Sequence, residues 1–270
     1  MRIVAIAAAL LAAPAVAVPA WAQEGHDCVV EPFVVVEIGS PVEGIIAEVT
    51  AERGTPVTKG QVLARLESSV EEATLNMAEA NAASTVEIEI ARTRVERLQK
   101  ELDRATQLAS QNVVSQSVLE TAESELEQAL LEQRRAEQNQ NLAVLDRDRA
   151  KAQLDRRVIT SPVDGIMLRR LIGPGEYVYS QAQVAQLATI DPLHVDVFLP
   201  TSLYPEVKLG QMATIRPAEP IGGSYQARII SIDQVFDAAS DTFSVLLELP
   251  NPGNKLPAGV DCQMFLDTIG

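Results

Sequence analysis

From Ser69 to Val158 the chain holds neither Pro nor Gly, and its apolar positions recur every three or four residues. Ile88, Ala91, Val95, Leu98, Leu102 and Ala105 mark one seam; Leu119, Ala122, Leu126, Ala129, Gln133 and Ala136 mark a second. This is the rhythm of a coiled coil, in a stretch with no breaker to stop a helix. The rhythm lapses once, at 110–116, near the midpoint, and Ser117 with Glu120 has the spacing of a capping box for the segment that follows. The pattern predicts an antiparallel hairpin of two helices of about 40 residues, each roughly 60 Å long at 1.5 Å per residue, with an ordinary helical bundle as the alternative. Ala at many seam positions lets the arms approach closely, whereas Gln133 and Gln140 are polar intrusions that fix register at some cost in stability.

On either side of this stretch the pattern becomes that of short strands. Ser40-Pro41-Val42-Glu43-Gly44-Ile45 recurs as Ser161-Pro162-Val163-Asp164-Gly165-Ile166, an offset of 121 residues. The same offset carries Gly54 onto Gly175, Val57 onto Val178, Leu63 onto Val184 and Leu66 onto Leu187. Gly54 and Gly175 are expected to turn with φ > 0, and Gly44 and Gly165 to sit where another backbone comes close. Arms of equal length return the hairpin to its base, so the second copy is expected beside the first, both in one compact unit. After Asp191, short strands within 193–199, 211–215, 228–232 and 243–249 are separated by turns at Pro217, Gly222-Gly223, Asn251-Pro252-Gly253-Asn254 and Pro257-Ala258-Gly259. Such spacing predicts a small antiparallel β-barrel. The fold class is therefore mixed, with all-β domains and a long α-helical hairpin.

The 270 residues carry 37 acidic and 22 basic side chains, a formal charge of −15, which argues against general nucleic-acid binding. Two His, two Cys and no cluster of either leave few ingredients for a zinc site or a His-based catalytic centre. His194 falls among apolar residues in a predicted strand and reads as a barrel histidine, while His26 falls at the start of the mature chain. The Met residues do not cluster, and the chain lacks a Walker A loop, a Gly-x-Ser-x-Gly elbow, a His-Glu-x-x-His helix and a Gly-x-Gly-x-x-Gly fingerprint. No catalytic residue, cofactor or metal is expected, and the protein reads as a non-enzyme.

Met1-Arg2, the apolar run Ile3 to Val18 and the small-x-small end Pro19-Ala20-Trp21-Ala22 have the form of a secretory signal peptide, residues 1–22, with an uncleaved anchor as the alternative. The expected compartment is a bacterial periplasm. Export to an oxidising compartment bears on Cys28 and Cys262, at opposite ends of the mature chain. They are expected to form one disulfide closing a very long loop, the alternative being two unpaired thiols.

Pro-Val-x-Gly, then Gly-x-x-Val, then a Leu-x-x-Leu strand resembles one half of a lipoyl or biotinyl domain, a flattened barrel of two such halves. In the carrier domains a modified lysine sits at the hairpin where the halves meet. Here Glu67-Ser68-Ser69-Val70 occupies that place, so Val70 stands where the lysine would be, and Lys59 lies in an earlier turn. This disfavours the runner-up function, an acyl or biotin carrier subunit. A split lipoyl-like domain with a coiled-coil insertion is similar to the periplasmic adaptors, or membrane fusion proteins, of the HlyD-like family that serve tripartite efflux pumps. A free-standing coiled-coil scaffold is the third reading.

The resemblance implies an adaptor between an inner-membrane exporter, of the resistance-nodulation-division type in preference to the ABC type, and an outer-membrane channel, with copies associating into a ring, a hexamer in relatives. It implies domains at 28–39 (first barrel strand), 40–68 (lipoyl-like half 1), 69–158 (hairpin), 159–189 (half 2) and 190–268 (β-barrel). Placing the early strand in the barrel would let Cys28 meet Cys262. At the hairpin tip the family carries Arg-Leu-x-x-Leu, six further residues and Ser. This chain has Arg104-Ala105-Thr106-Gln107-Leu108 and then Ser115, keeping three of the four positions, with Ala105 the departure. By the resemblance Arg104, Leu108 and Ser115 dock the channel.

Overall fold

The computed structural model describes residues 25–267. The expected signal segment, 1–22, and residue 268, the expected end of the barrel domain, lie outside them. The described chain forms two compact units, one spanning Val34–Thr189 and the other combining the segments up to Phe33 and from Ile190.

The Val34–Thr189 unit is built from the strands β1 (His26–Gly39, its second part), β2 (Gly44–Val49), β3 (Pro56–Val57) and β4 (Val62–Leu66), the helices α1 (Ser69–Ala83), α2 (Val86–Ser110) and α3 (Gln116–Asp155), and the strands β5 (Val158–Thr160), β6 (Gly165–Arg170), β7 (Tyr177–Val178) and β8 (Gln183–Pro200, its first part). Strands from before and after the helices share its sheets and pair with one another. β4 pairs with β5, β2 with β7 and β3 with β6, all antiparallel. Each half supplies the hydrogen bonds that the other lacks.

The pairing repeats at the 121-residue offset. Ser40 donates its N–H to Ala182, and Ser161 donates to Gln61. Gly54 donates to Met167, and Gly175 to Ile46. Ser40 and Ser161, both buried, each turn their hydroxyl onto the carbonyl two residues ahead, of Val42 and Val163. The offset pairs Ile46 and Met167, Val57 and Val178, Leu63 and Val184, and Leu66 and Leu187 all enter one core. Two halves of one sequence pattern thus meet across an approximate twofold, as a flattened barrel.

Gly54 and Gly175 both have φ of 83°, the left-handed conformation that glycine adopts without penalty. At Gly165 a Cβ would lie 2.3 Å from the backbone oxygen of Ala188, which is the close approach the sequence predicts. Gly44 differs. Its would-be Cβ faces an Arg157 guanidinium nitrogen at 2.7 Å, a side chain and not a backbone.

The second unit is a six-stranded antiparallel barrel. β9 (Met212–Pro217), β10 (Tyr225–Ile232), β11 (Thr242–Leu249) and β12 (Val260–Leu266) join the first part of β1 and the second part of β8 in the order β1-β12-β9-β10-β11-β8, and a β1–β8 pairing closes the circle. Residues alternate in and out along β11, with Phe243, Val245, Leu247 and Leu249 buried. Cys28 and Cys262 are direct register partners on β1 and β12 and are joined by a disulfide, S–S 2.06 Å, across a sequence separation of 234. The turn Leu256-Pro257-Ala258-Gly259 is held by buried Asn251, whose side chain bonds Leu256 N–H, Leu256 O and Ile190 O.

One boundary moves. Sequence reading gives the whole of 28–39 to the barrel. Only the first part of β1 pairs there, and Ile38 is buried in the core of the lipoyl-like unit with Val36 packed against it. The strand is long enough to serve two cores, and its alternating pattern does not tell them apart.

Candidate docking surfaces of the hairpin

The helices pack on each other, α2 and α1 both against α3. The predicted seam is the buried one. Leu98, Leu126 and Ala129 form its centre with Val95 and Leu102 against them, and Ala136 is buried further along. Arg94 and Glu132 form an ion pair across the arms. The seam and such polar ties hold the arms together, so exposed apolar residues off them answer to solvent or to a partner.

The first arm departs from expectation. Instead of one helix of about 40 residues it is two, α1 and α2, separated by Ser84 and Thr85, whereas α3 runs 40 residues unbroken. Ser84 is extended, φ −76° and ψ 115°. Ser and Thr compete for backbone hydrogen bonds, and β-branched Thr85 and Val86 are weak helix formers, so the break falls where propensity is lowest. Thr85 Oγ1 donates to Glu89 Oε1, and Gln140 on α3 donates to the Ala82 carbonyl at the end of α1. The polar residue that sequence reading treats as a register pin therefore serves the break.

At the far end Ser110 closes α2, Asn112 turns with φ of 58°, and Gln116 opens α3. The capping-box prediction is corrected here: the N-cap is Ser115, extended at ψ 157°, and Ser117 lies inside the first turn, where its hydroxyl meets that of Ser115 at 2.8 Å. Arg104 and Leu108 lie one turn apart on α2, on the same face. Arg104 Nε donates back to the Lys100 carbonyl, leaving the rest of its guanidinium in solvent. Leu108 is 40% exposed, although Ala105 and Ala109 beside it are half-buried. Two further apolar residues stand out at this end, Val113, 63% exposed, and Val118. Sequence reading passes over both; their signal is being apolar and off the seam.

The root is tied on both sides. Arg157, just past α3, donates to the Glu43 carbonyl and forms a half-buried ion pair with Glu71 in the first turn of α1, while Arg156 reaches the Pro41 carbonyl. Glu67 accepts the N–H of Ser69, the first residue of α1. The Ser69 hydroxyl and N–H hold the Glu67 carboxyl below the usual carboxylate range, with Arg157 assisting. Val70 is exposed in the first turn of α1, so the place of a carrier hairpin is taken by the start of a helix. Lys59 sits in the turn before β4, its N–H bonded to Asp164.

His194 is half-exposed on β8, its ring 4.7 Å from that of Phe33, and His26 pairs through its backbone with β12. Among the described residues no group of three or more His, Cys, Asp or Glu is placed to hold a metal ion, and no helix is long and apolar enough to cross a membrane.

Residues 34–189 match the family described as CzcB-like, barrel-sandwich hybrid domain. An uncharacterized protein of Haemophilus influenzae is 25% identical over 218 residues, 80% of this chain. The chain spans half of that relative's length. Among solved structures, MacA from Actinobacillus actinomycetemcomitans is 24% identical with a TM-score of 0.74, the match covering 90% of this chain and 78% of that one. The membrane fusion protein Spr0693 from Streptococcus pneumoniae R6 is 14% identical with a TM-score of 0.59, over 92% of this chain and all of that one. These likenesses are of fold.

Proposed function

We propose that this chain, which belongs to the CzcB-like barrel-sandwich hybrid family, is a periplasmic adaptor coupling an inner-membrane exporter to an outer-membrane channel for the efflux of small molecules. The observation that carries this reading is the interleaving of the two halves. It clamps both ends of the insertion, so that a coiled coil about 60 Å long stands on a fixed base with apolar residues uncovered at its far end. A two-ended strut of this kind suits a protein that joins two others. Its work is mechanical, and no residue is assigned a chemical role.

In this reading the segment 1–22 directs export and is removed. Arg104, Leu108 and Ser115 meet the channel, joined by Val113 and Val118. Arginine is enriched in interface cores, and the uncovered aliphatic side chains beside it supply apolar area for a partner to bury. Copies associate around a cyclic axis into a ring, a hexamer, with lipoyl-like units side by side and hairpins forming the wall of a tube. The exporter is of the resistance-nodulation-division type, with an ABC-type exporter as the alternative partner.

A photoreactive residue in place of Leu108, in the full chain in living cells, tests this. Crosslinks to an outer-membrane channel are expected. Crosslinks confined to other copies of the chain reject the reading.

A further inference from the structure

The lipoyl-like unit gathers three arginines that its own fold does not use. Outside the helices, Arg65, Arg156, Arg157, Arg216 and Arg228 are each engaged by a carboxylate, a backbone carbonyl or an aromatic ring. The guanidinium groups of Arg53, Arg169 and Arg170 have no such partner among the described residues, and all three line one hollow of about 450 Å³ with Glu52 and Leu171. In a chain of formal charge −15 this spot has the opposite sign.

Backbone bonds hold the cluster together. The turn that carries Arg53 is tied to β6 on both sides, Gly54 donating to the Met167 carbonyl and Met167 to that of Thr55, while Thr55 closes the turn on the Glu52 carbonyl with its N–H and its hydroxyl. Successive residues of a regular strand face opposite ways. Here the register of β6 on β8 shifts between Met167 and Arg169, a bulge of the kind that re-aims side chains, and Arg169 and Arg170 both reach the hollow. Like charges assembled in this way repel one another, and a bound anion relieves the repulsion.

The lining groups select the anion. Three guanidiniums against one carboxylate leave two positive charges. A carboxylate ligand brings one charge and two oxygens, whereas a phosphate group brings a charge of about −2 and three strong acceptor oxygens, which guanidinium forks match in bidentate pairs. The fourth vertex of phosphate carries a proton or an ester substituent. Glu52 can accept from a hydroxyl there, but would repel the bare fourth oxygen of sulfate. Leu171, 46% exposed, offers apolar cover to a substituent. We infer that this hollow binds a phosphate group, free or as a monoester. The inference does not rest on the adaptor reading above.

Titration calorimetry of the full chain with inorganic phosphate, phenyl phosphate and sulfate, at one ionic strength, tests it. Saturable binding of both phosphates is expected, with sulfate weaker. Arg53→Gln, and separately Arg169→Gln with Arg170→Gln, are each expected to weaken phosphate binding by about tenfold or more. Arg53→Lys should fall between, because lysine keeps the charge and loses the fork. Glu52→Gln should narrow the preference for phosphate over sulfate. A ligand-free Tm equal to or above that of wild type establishes that each variant folds. Sedimentation with phosphatidylcholine vesicles containing phosphatidic acid, and not with phosphatidylcholine alone, would assign the phosphate to a lipid headgroup; phenyl phosphate binding without sedimentation would assign it to a soluble ester. Absence of saturable binding, equal binding of sulfate and phosphate, or binding indifferent to the arginine substitutions overturns the inference. So does wild type that binds no phosphate but loses self-association on substitution of the arginines, which would give the hollow to a second copy of the chain. Each of these leaves the adaptor reading standing.

Discussion

Gln140, deep in α3, donates its side-chain amide to the carbonyl oxygen of Ala82, at the end of α1 and 58 residues earlier in sequence. The break in the first arm and the polar residue in the second are one feature. Gln140→Leu strips a half-buried carbonyl of its donor and is expected to cost about 1–3 kcal/mol. Gln133, which bonds only Glu137 on its own helix, is expected to tolerate Leu with little loss or a small gain. Thermal unfolding of the two variants checks the contrast, and equal behaviour would contradict it.

Gly165 and Gly44 occupy equivalent positions in the two halves but meet different neighbours. A Cβ at Gly165 strikes the Ala188 backbone, which cannot move without disturbing β8, whereas at Gly44 it strikes the Arg157 side chain. Gly165→Ala is expected to cost about 3 kcal/mol or more, and Gly44→Ala, where φ of 158° adds backbone strain to the contact with Arg157, about 1–3 kcal/mol. Denaturant unfolding gives both values, and the order is the prediction.

The bond between Cys28 and Cys262 closes a loop that spans most of the chain. Cys28→Ser with Cys262→Ser is expected to lower barrel stability by about 2–5 kcal/mol, chiefly by freeing the unfolded chain. Calorimetry with and without reductant checks this. Reduction should shift wild type and leave the double variant where it is.

Leu108→Asp with Arg104→Glu removes the apolar anchor and inverts the charge at the hairpin tip. Both residues are exposed, so stability should hold to within about 0.5 kcal/mol of wild type. Efflux-dependent resistance and crosslinking to the channel are expected to disappear. Full efflux with both substitutions in place would dispose of this docking site.

Glu67 gives the root of the hairpin a dependence on pH. Its carboxyl is held below its ordinary value by Ser69 and Arg157, so the folded state favours the ionised form. That contribution is complete above the unfolded value, near pH 4, and fades as pH falls through the folded value. Glu67→Gln should therefore be less stable than wild type at pH 7, with the difference closing below about pH 4. Tm measured for both from pH 7 to pH 3 gives the curve.

Much of this was legible in the sequence. A repeat held over Ser40–Leu66 and Ser161–Leu187 pointed to pairing, because equivalent residues must solve the same packing problem. A seam of apolar positions predicted the buried face of α2 and α3 residue by residue. The break at Ser84 and Thr85 escaped because helix ends are sought at Gly and Pro, and here two merely weak formers suffice once Gln140 arrives from the other arm. The sequence pattern gives β1 to one core because a strand's alternation says which face is buried and not by what. The tip residues Arg104, Leu108 and Ser115 rest on a spacing, whereas Val113 and Val118 needed the exposed surface to be seen.

The interleaved sheets also govern how the chain can reach its native state. β4 needs β5, and β2 needs β7, yet the whole of the insertion lies between them. Left as loose polymer, that stretch would make closure slow. Zipped from Asn112 downward as two arms, it delivers Val158 to Arg65 with only local steps remaining. The strut is in this sense its own assembly jig, and a nick at its tip would turn a quick intramolecular closure into a search between two separate pieces.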